Sequence, residues 1–166
     1  RNYLPNDEES KHFACLLQWD NIYYQEPTEE YISPKTTVRV GLVQWQMRSY
    51  KTLDDLFEQV EFFVDSVSGY QSDFVLFPEY FNAPLMARFN DASESQAIRG
   101  LARYTDEIRE RFINLAIRYN INIITGSMPL IKEDGLLYNV GFLCRRDGTY
   151  EMYEKLHVTP DEIKSW

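Results

Sequence analysis

The sequence contains few residues of the kinds that bind metals or form redox centres. Its 166 residues include two cysteines, at 15 and 144, and two histidines, at 12 and 157. Neither pair has the close spacing of a CxxC motif or a zinc-binding set, so we expect no metal site. Because the cysteine usage gives no disulfide framework, a reduced, cytoplasmic protein is the expectation.

Long apolar runs and an excess of basic residues are also missing. No run reaches the eighteen or so apolar residues of a spanning helix, and the amino end is too polar for a signal peptide, so we expect no membrane partner. Lys and Arg number 17 against 26 Asp and Glu, which gives a net charge of -9. Nucleic-acid binders concentrate basic residues on one face, so we do not expect nucleic acid as a partner.

The chain is long enough for one domain with a sizeable core, and 44% of its residues are hydrophobic. Residues 1–36 differ from the rest, with two acidic clusters, three prolines and no strand alternation. We interpret them as a linker or docking arm from an upstream region, and residues 37–166 as the domain. Since the chain begins with Arg rather than Met, we expect a further segment before it.

From residue 38 onward the pattern predicts alternating strands and helices. The strongest helix covers residues 52–69, where Thr52 and Asp55 have the spacing of a capping box and apolar residues recur every 3.6 positions. A second helix is predicted at 105–119. Strands are predicted around these helices at 38–44, 73–77, 121–126, 130–132, 137–145 and 149–155. This order predicts a mixed α/β sheet with helices packed on it.

Two charged residues follow predicted strands. Phe77-Pro78-Glu79 ends one apolar run, and Lys155 with His157 ends another. Taken alone, such a Glu usually caps a helix and such a Lys is usually a solvated surface charge. Active sites of α/β folds lie just outside the carboxyl ends of strands. We therefore expect Glu79 and Lys155 to end neighbouring strands at the same edge of the sheet and to meet in space.

These segments resemble the carbon-nitrogen hydrolase (nitrilase/amidase) superfamily, from residue 38 to the end of the chain. The resemblance rests on Val-Leu-Phe-Pro-Glu-Tyr at 75–80 and on the ordered run Tyr-Asn, Asp-Gly and Tyr-x-Lys-x-His over residues 138–157. It implies the first half of an αββα sandwich, with Glu79 as general base and acid and Lys155 stabilising the tetrahedral species. It implies no cofactor.

The same resemblance implies a catalytic cysteine beyond the lysine motif, and no Cys follows Lys155 here. We therefore expect the chain to be an amino-terminal part of a hydrolase that acts on a linear amide or carbamoyl compound. The chain alone is expected to be inactive, and to bind the missing carboxyl-terminal half or form a homo-oligomer that covers its exposed sheet. Cys144 is interpreted as a core residue and Cys15 as structural or incidental.

Three further residues are candidates for the substrate pocket: His157, Glu162 and Tyr80. His157 faces the same way as Lys155 if both lie in a strand, and either lines the pocket or only packs. Glu162 resembles in position a second glutamate of some amidase branches, but the loose spacing favours the alternative, a surface loop acid. Asn139 is expected to hold the neighbouring strand through backbone hydrogen bonds.

Two alternatives to hydrolysis stay open. The chain can be a noncatalytic remnant or a module of a fusion with an upstream acetyltransferase-like domain, as some members of the superfamily are. It can also belong to an acyltransferase that uses the same Glu, Lys and Cys but passes the acyl group to an acceptor other than water.

Overall fold

The computed structural model describes residues 37–89, 91–160 and 162. The predicted arm at 1–36, and Cys15 within it, lie outside the described residues. From Val40 onward the chain forms one unit. No described helix is both long and apolar enough to cross a membrane.

One five-stranded mixed sheet forms the centre of this unit, in the order β1-β2-β3-β4-β5. Strands β1 to β3 are mutually parallel, and β4 is antiparallel to both β3 and β5. Strand β5 therefore runs in the same direction as β2, so the carboxyl ends of β2 and β5 lie at the same edge of the sheet. The strands are β1 Val40–Leu42, β2 Phe74–Leu76, β3 Asn122–Ile131, β4 Leu137–Cys144 and β5 Tyr150–Glu154.

Both predicted helices are present, as α1 (Leu53–Gly69) and α3 (Thr105–Arg118). Helix α1 begins with the predicted capping box, in which Thr52 Oγ1 accepts from the Asp55 N–H at 3.0 Å. The apolar side of each helix enters the core, and Leu56, Val60 and Phe112 are fully buried. The periodicity of the sequence therefore places these two helices correctly.

Two elements between β2 and α3 were not predicted. They are a 3-10 segment, Ala83–Phe89, and a helix, α2, at Glu94–Ala102. Helix α2 has its own sequence signal, since Ser93 and Gln96 form a capping box and Ile98 and Leu101 are buried. The helix has only nine residues, and so gives a weaker periodic pattern than α1.

The prediction of separate strands at 121–126 and 130–132 is wrong, because β3 runs through both and through Pro129. Pro129 pairs with Asn139 on β4, whose backbone oxygen points to β5 and accepts from the Lys155 N–H at 2.9 Å. Pro129 and Asn139 therefore form a non-hydrogen-bonded pair of the ladder. A proline at such a position removes no bond to β4, so the strand continues.

The two faces of the sheet differ in their covering. On the helix-covered face, Val75, Ile123 and Cys144 are fully buried. On the other face, Leu42 is 72% exposed, and its neighbours in the strand register are only partly covered. We call this second surface the open face, and its apolar residues are Val40, Leu42, Phe74, Leu76, Ile124 and Leu143.

Candidate active site

The turn after β2 brings Glu79 over the neighbouring strand. Phe77 N–H donates to Ile124 O at 2.9 Å, and Tyr80 N–H donates to Ser127 O at 2.7 Å. Tyr80 has a φ of 55°, a left-handed conformation in which a residue with a side chain is strained. The two hydrogen bonds to β3 hold the chain in this conformation, and Glu79 stands at the top of the turn.

A bulge in β3 makes room for this turn. The register of β3 shifts between Ile124 and Ser127, and Gly126 within the bulge has a φ of 71°. A Cβ at Gly126 would lie 2.1 Å from Pro78 O, which is far inside van der Waals contact. Only a glycine permits both the positive φ and this close approach of two backbones.

Lys155 follows β5 and reaches Glu79 across β4 and β3. Its N–H bond to Asn139 extends the β4–β5 ladder by one residue past the end of β5. The Lys155 Nζ lies 3.0 Å from Glu79 Oε1 and 3.0 Å from both carboxylate oxygens of Glu162. The structure therefore places the two residues expected to meet within direct contact, joined by a second carboxylate.

Glu162 is a buried member of this cluster, only 8% exposed, and the surface-loop alternative is wrong. The Thr159 N–H donates to Glu162 Oε2 at 2.6 Å, and the Glu162 N–H donates to Thr159 Oγ1, the reciprocal pattern of a capping box. Burial opposes ionisation of Glu162, but the hydrogen bonds from Thr159, Lys155 and Asn139 outweigh it and lower its pKa to about 2.

Asn139 links the two carboxylates, a role that the sequence did not reveal. Its side-chain Nδ2 donates to Glu79 Oε1 at 2.6 Å and to Glu162 Oε1 at 3.0 Å. The side chain therefore holds the two acids, while its backbone oxygen holds Lys155 as expected. The Tyr-Asn pair before an apolar strand was the available signal, but only the tertiary structure shows what the amide contacts.

The charge balance of the cluster favours a protonated lysine. Burial opposes the charge of Lys155, but hydrogen bonds and attraction from Glu162 and Glu79 dominate and raise its pKa. Both carboxylates, Glu79 and Glu162, accept hydrogen bonds from this one ammonium. The Glu79 side chain remains 45% exposed, against 10% for Glu162, so Glu79 is the carboxylate that a small molecule can reach.

The other two pocket candidates differ in their placement. Tyr80 is half-buried, and its hydroxyl donates to Glu162 Oε1 at 3.5 Å. Burial and the carboxylates of Glu162 and Glu79 raise its pKa. His157 is exposed and lies in a bend after β5 has ended at Glu154, so the argument from strand alternation does not hold. Among the described residues, no hydrogen bond or ion pair joins His157 to the cluster.

Cys144 lies in the core, as predicted, on the helix-covered face. Burial raises the pKa of its thiol to about 12, so it is not a thiolate at neutral pH. Within the part of the chain that the structure describes, no group of three or more His, Cys, Asp or Glu side chains could hold a metal ion.

Comparison with known proteins gives the family. The Carbon-nitrogen hydrolase family matches residues 39–166, which include the whole sheet and the Glu79–Lys155–Glu162 cluster. The chain therefore belongs to the carbon-nitrogen hydrolase family. It is 40% identical to "Probable hydrolase YhcX" of Bacillus subtilis over 166 residues, 99% of this chain and 32% of that protein.

Solved structures share the fold at low sequence identity. An amidase of Nesterenkonia sp. AN1, as a double mutant in complex with acrylamide, superposes with a TM-score of 0.62 at 18% identity. The match covers 81% of this chain and 49% of the amidase chain. A carbon-nitrogen hydrolase of Helicobacter pylori G27 superposes with a TM-score of 0.58 at 17% identity. The match covers 75% of this chain and 41% of the Helicobacter chain. The C. elegans NitFhit protein superposes with a TM-score of 0.55 at 22% identity. The match covers 74% of this chain and 28% of the NitFhit chain.

The Nesterenkonia amidase belongs to the nitrilase superfamily. The αββα fold inferred from the sequence is thus supported for the part that this chain contains, namely one mixed sheet with helices on one side. The chain spans about a third of its curated relative and less than half of these three solved structures.

Proposed function

We propose that the protein to which these residues belong hydrolyses a non-peptide carbon-nitrogen bond in a linear amide or carbamoyl compound. The observation that carries the proposal is the contact of one ammonium, Lys155, with two carboxylates of unequal exposure at the carboxyl edge of the sheet. Membership of the carbon-nitrogen hydrolase family supports the reaction class. The location in the cytoplasm and an upstream acetyltransferase-like domain stay predictions.

Glu79 is proposed as the general base and acid. Its accessible carboxylate takes the proton of the attacking thiol and returns it to the departing amine, and later takes a proton from the hydrolytic water. Lys155 and Asn139 both hydrogen-bond to Glu79 Oε1 at 3.0 and 2.6 Å. These two donors leave the other carboxylate oxygen, Oε2, for proton transfer with the substrate.

Lys155 is proposed to stabilise the negative charge that develops on the substrate as the carbon becomes tetrahedral. A fixed cation close to that charge lowers the barrier because it needs no reorganisation during the reaction. The Glu162 carboxylate accepts from the ammonium, and the backbone bond from the Lys155 N–H to Asn139 O anchors its main chain. Glu162 is thus proposed as a residue that positions Lys155, and Tyr80 as one that supports Glu162.

The nucleophile in this proposal is a cysteine outside these 166 residues. Its thiolate would attack the amide carbon, release the amine and leave a thioester that water then hydrolyses. In one structure of the Nesterenkonia amidase, the acetamide moiety of fluoroacetamide is covalently added at the active-site cysteine. Cys144 is buried on the other face of the sheet, so the chain alone is proposed to be inactive.

The test is turnover by the full-length protein on short amides, carbamoyl amino acids and nitriles, measured as ammonia release. Glu79→Gln and Lys155→Arg should each lower kcat/KM by roughly a hundredfold or more. Lys132→Arg is the matched control, because Lys132 also pairs with a glutamate, Glu154, but forms no hydrogen bond or ion pair with the described residues of the cluster. It should keep full activity.

The alternatives give different results. Acyl transfer to added hydroxylamine, with little hydrolysis in its absence, would indicate an acyltransferase. Absence of turnover on the whole panel would contradict the proposal and favour a noncatalytic module. Full turnover in Glu79→Gln would contradict the role proposed for Glu79.

A further inference from the structure

Tyr153 lies next to the candidate site and has no part in the function proposed so far. It is two residues before Lys155 on β5, so the two side chains project from the same face of the sheet. In the register, Tyr153 pairs with Gly141 on β4, which pairs in turn with Ser127 on β3. The phenol therefore stands between Lys155 and the bulge that supports Glu79.

The ring of Tyr153 lies over bare backbone. A Cβ at Gly141 would be 2.2 Å from both Cζ and the hydroxyl oxygen of Tyr153, and 2.3 Å from Gly126 O. The ring thus occupies the place that a side chain on β4 would otherwise fill. Because the phenol oxygen and Gly126 O both lie within 2.3 Å of this one position, the phenol reaches from β5 across β4 toward the bulge in β3.

The environment of the hydroxyl keeps it protonated and available. Burial and the nearby Glu79 carboxylate raise the pKa of Tyr153, so the phenol remains a hydrogen-bond donor at neutral pH. The side chain is 42% exposed, and its hydroxyl makes no hydrogen bond to any of the described residues. A half-exposed donor without an internal partner, beside the accessible carboxylate, is suited to bind a polar group of a small molecule.

We propose that Tyr153 is a substrate-binding residue whose hydroxyl donates a hydrogen bond to the carbonyl oxygen of the amide or carbamoyl group held beside Glu79. This inference rests on the proposed function and adds a contact to it. The neutral donor complements the charged Lys155, since a carbonyl oxygen has two lone pairs and can accept from both. The contact is present in the bound substrate and so acts mainly on KM.

The chain offers a matched control on the same strand. Tyr150 is also on β5 and has a similar exposure, 46% against 42% for Tyr153. It is three positions away and therefore on the opposite face, where it packs against Phe142 and Arg109. Replacing either tyrosine by phenylalanine removes one oxygen and keeps the ring, so both variants should fold.

The first experiment compares the kinetics of these variants in the full-length protein on its best amide or carbamoyl substrate. Tyr153→Phe should raise KM roughly five- to tenfold, the loss of one hydrogen bond, with kcat changed less than about threefold. Tyr150→Phe should leave both constants unchanged. Unchanged KM in Tyr153→Phe, with turnover that still needs Glu79 and Lys155, would overturn this inference and leave the proposed function standing.

The second experiment reports contact without turnover. The full-length Glu79→Gln variant is labelled with 3-fluorotyrosine, and the ¹⁹F resonance that disappears in Glu79→Gln/Tyr153→Phe is assigned to Tyr153. Butyramide and a carbamoyl amino acid should shift that resonance in a saturable way and leave the Tyr150 resonance in place. Each ligand is used at a millimolar concentration that slows turnover of the wild-type protein. If the Tyr153 resonance does not shift at that concentration, the inference is overturned.

Discussion

Lys155 Nζ lies 3.0 Å from Glu79 Oε1, although β3 and β4 lie between the strands that precede these residues. Three strand spacings amount to about 14 Å, so side chains at strand positions would meet only if both were fully extended along the sheet. The distance closes because the turn after β2 leans over β3, where Tyr80 N–H bonds to Ser127 O. The expectation that neighbouring strands carry the two residues is therefore wrong, while their meeting is found.

The bulge glycine should be essential for this turn. We expect Gly126→Ala to destabilise the protein by roughly 3 kcal/mol or more, because the new Cβ meets backbone at 2.1 Å and the φ is positive. Gly135→Ala is the matched control, since Gly135 has a φ of 78° but nothing within 4 Å of its Cβ, and it should cost about 1 kcal/mol. Urea unfolding measures both, and equal losses would contradict the account.

Glu162 should give the protein an acid-sensitive part of its stability. Its folded pKa, about 2, is below the ordinary value of 4.5, so this stability is present above about pH 5. It is lost as the pH falls toward 2 and amounts to roughly 2–3 kcal/mol. Unfolding measured from pH 7 to pH 2 should show a smaller acid-dependent loss in Glu162→Gln than in the wild-type protein.

The control for that comparison is Glu133→Gln, which changes an exposed glutamate in the β3–β4 turn. It should reproduce the wild-type dependence on pH. If Glu162→Gln did the same, the hydrogen bonds to its carboxylate would not stabilise the ionised form as described.

Cys144 should behave as a core residue in solution. With full burial and a thiol pKa near 12, it should react with iodoacetamide only after denaturant is added, as read by peptide mass spectrometry. Cys144→Ala should cost about 1 kcal/mol and keep the activity of the full-length protein. Rapid labelling of the folded protein, or an inactive but folded Cys144→Ala variant, would show that the thiol takes part in the chemistry.

The open face should associate with other polypeptide. We expect the isolated 166-residue chain to sediment as an oligomer, and Leu42→Glu to shift it toward monomer, because Leu42 is 72% exposed on an apolar sheet surface. Leu136→Glu, at an exposed leucine in the β3–β4 turn, should leave the oligomer unchanged. A monodisperse wild-type monomer that melts cooperatively would contradict this prediction.

Local patterns in the sequence were sufficient for several parts of the fold. The helical period and capping box of residues 52–69, the strand before Pro78 and the Asp-Gly turn at 147 depend on neighbours in the chain, so they could be predicted from it. The charged residues at strand ends, Glu79 and Lys155, were found in the same way. Their meeting was expected because active sites of α/β folds lie just outside the carboxyl ends of strands.

The contacts between distant segments could not be predicted from local patterns and became evident in the folded chain. Asn139 joins Glu79 to Glu162, Gly126 admits the backbone of Pro78, and Tyr153 lies over Gly141. Each contact depends on the register of β3, β4 and β5. That register includes a bulge in β3 and a proline at a non-hydrogen-bonded position, and no local sequence pattern predicts either feature. Local sequence thus places the charged residues at the edge of the sheet, and the packing of the strands decides which of them touch.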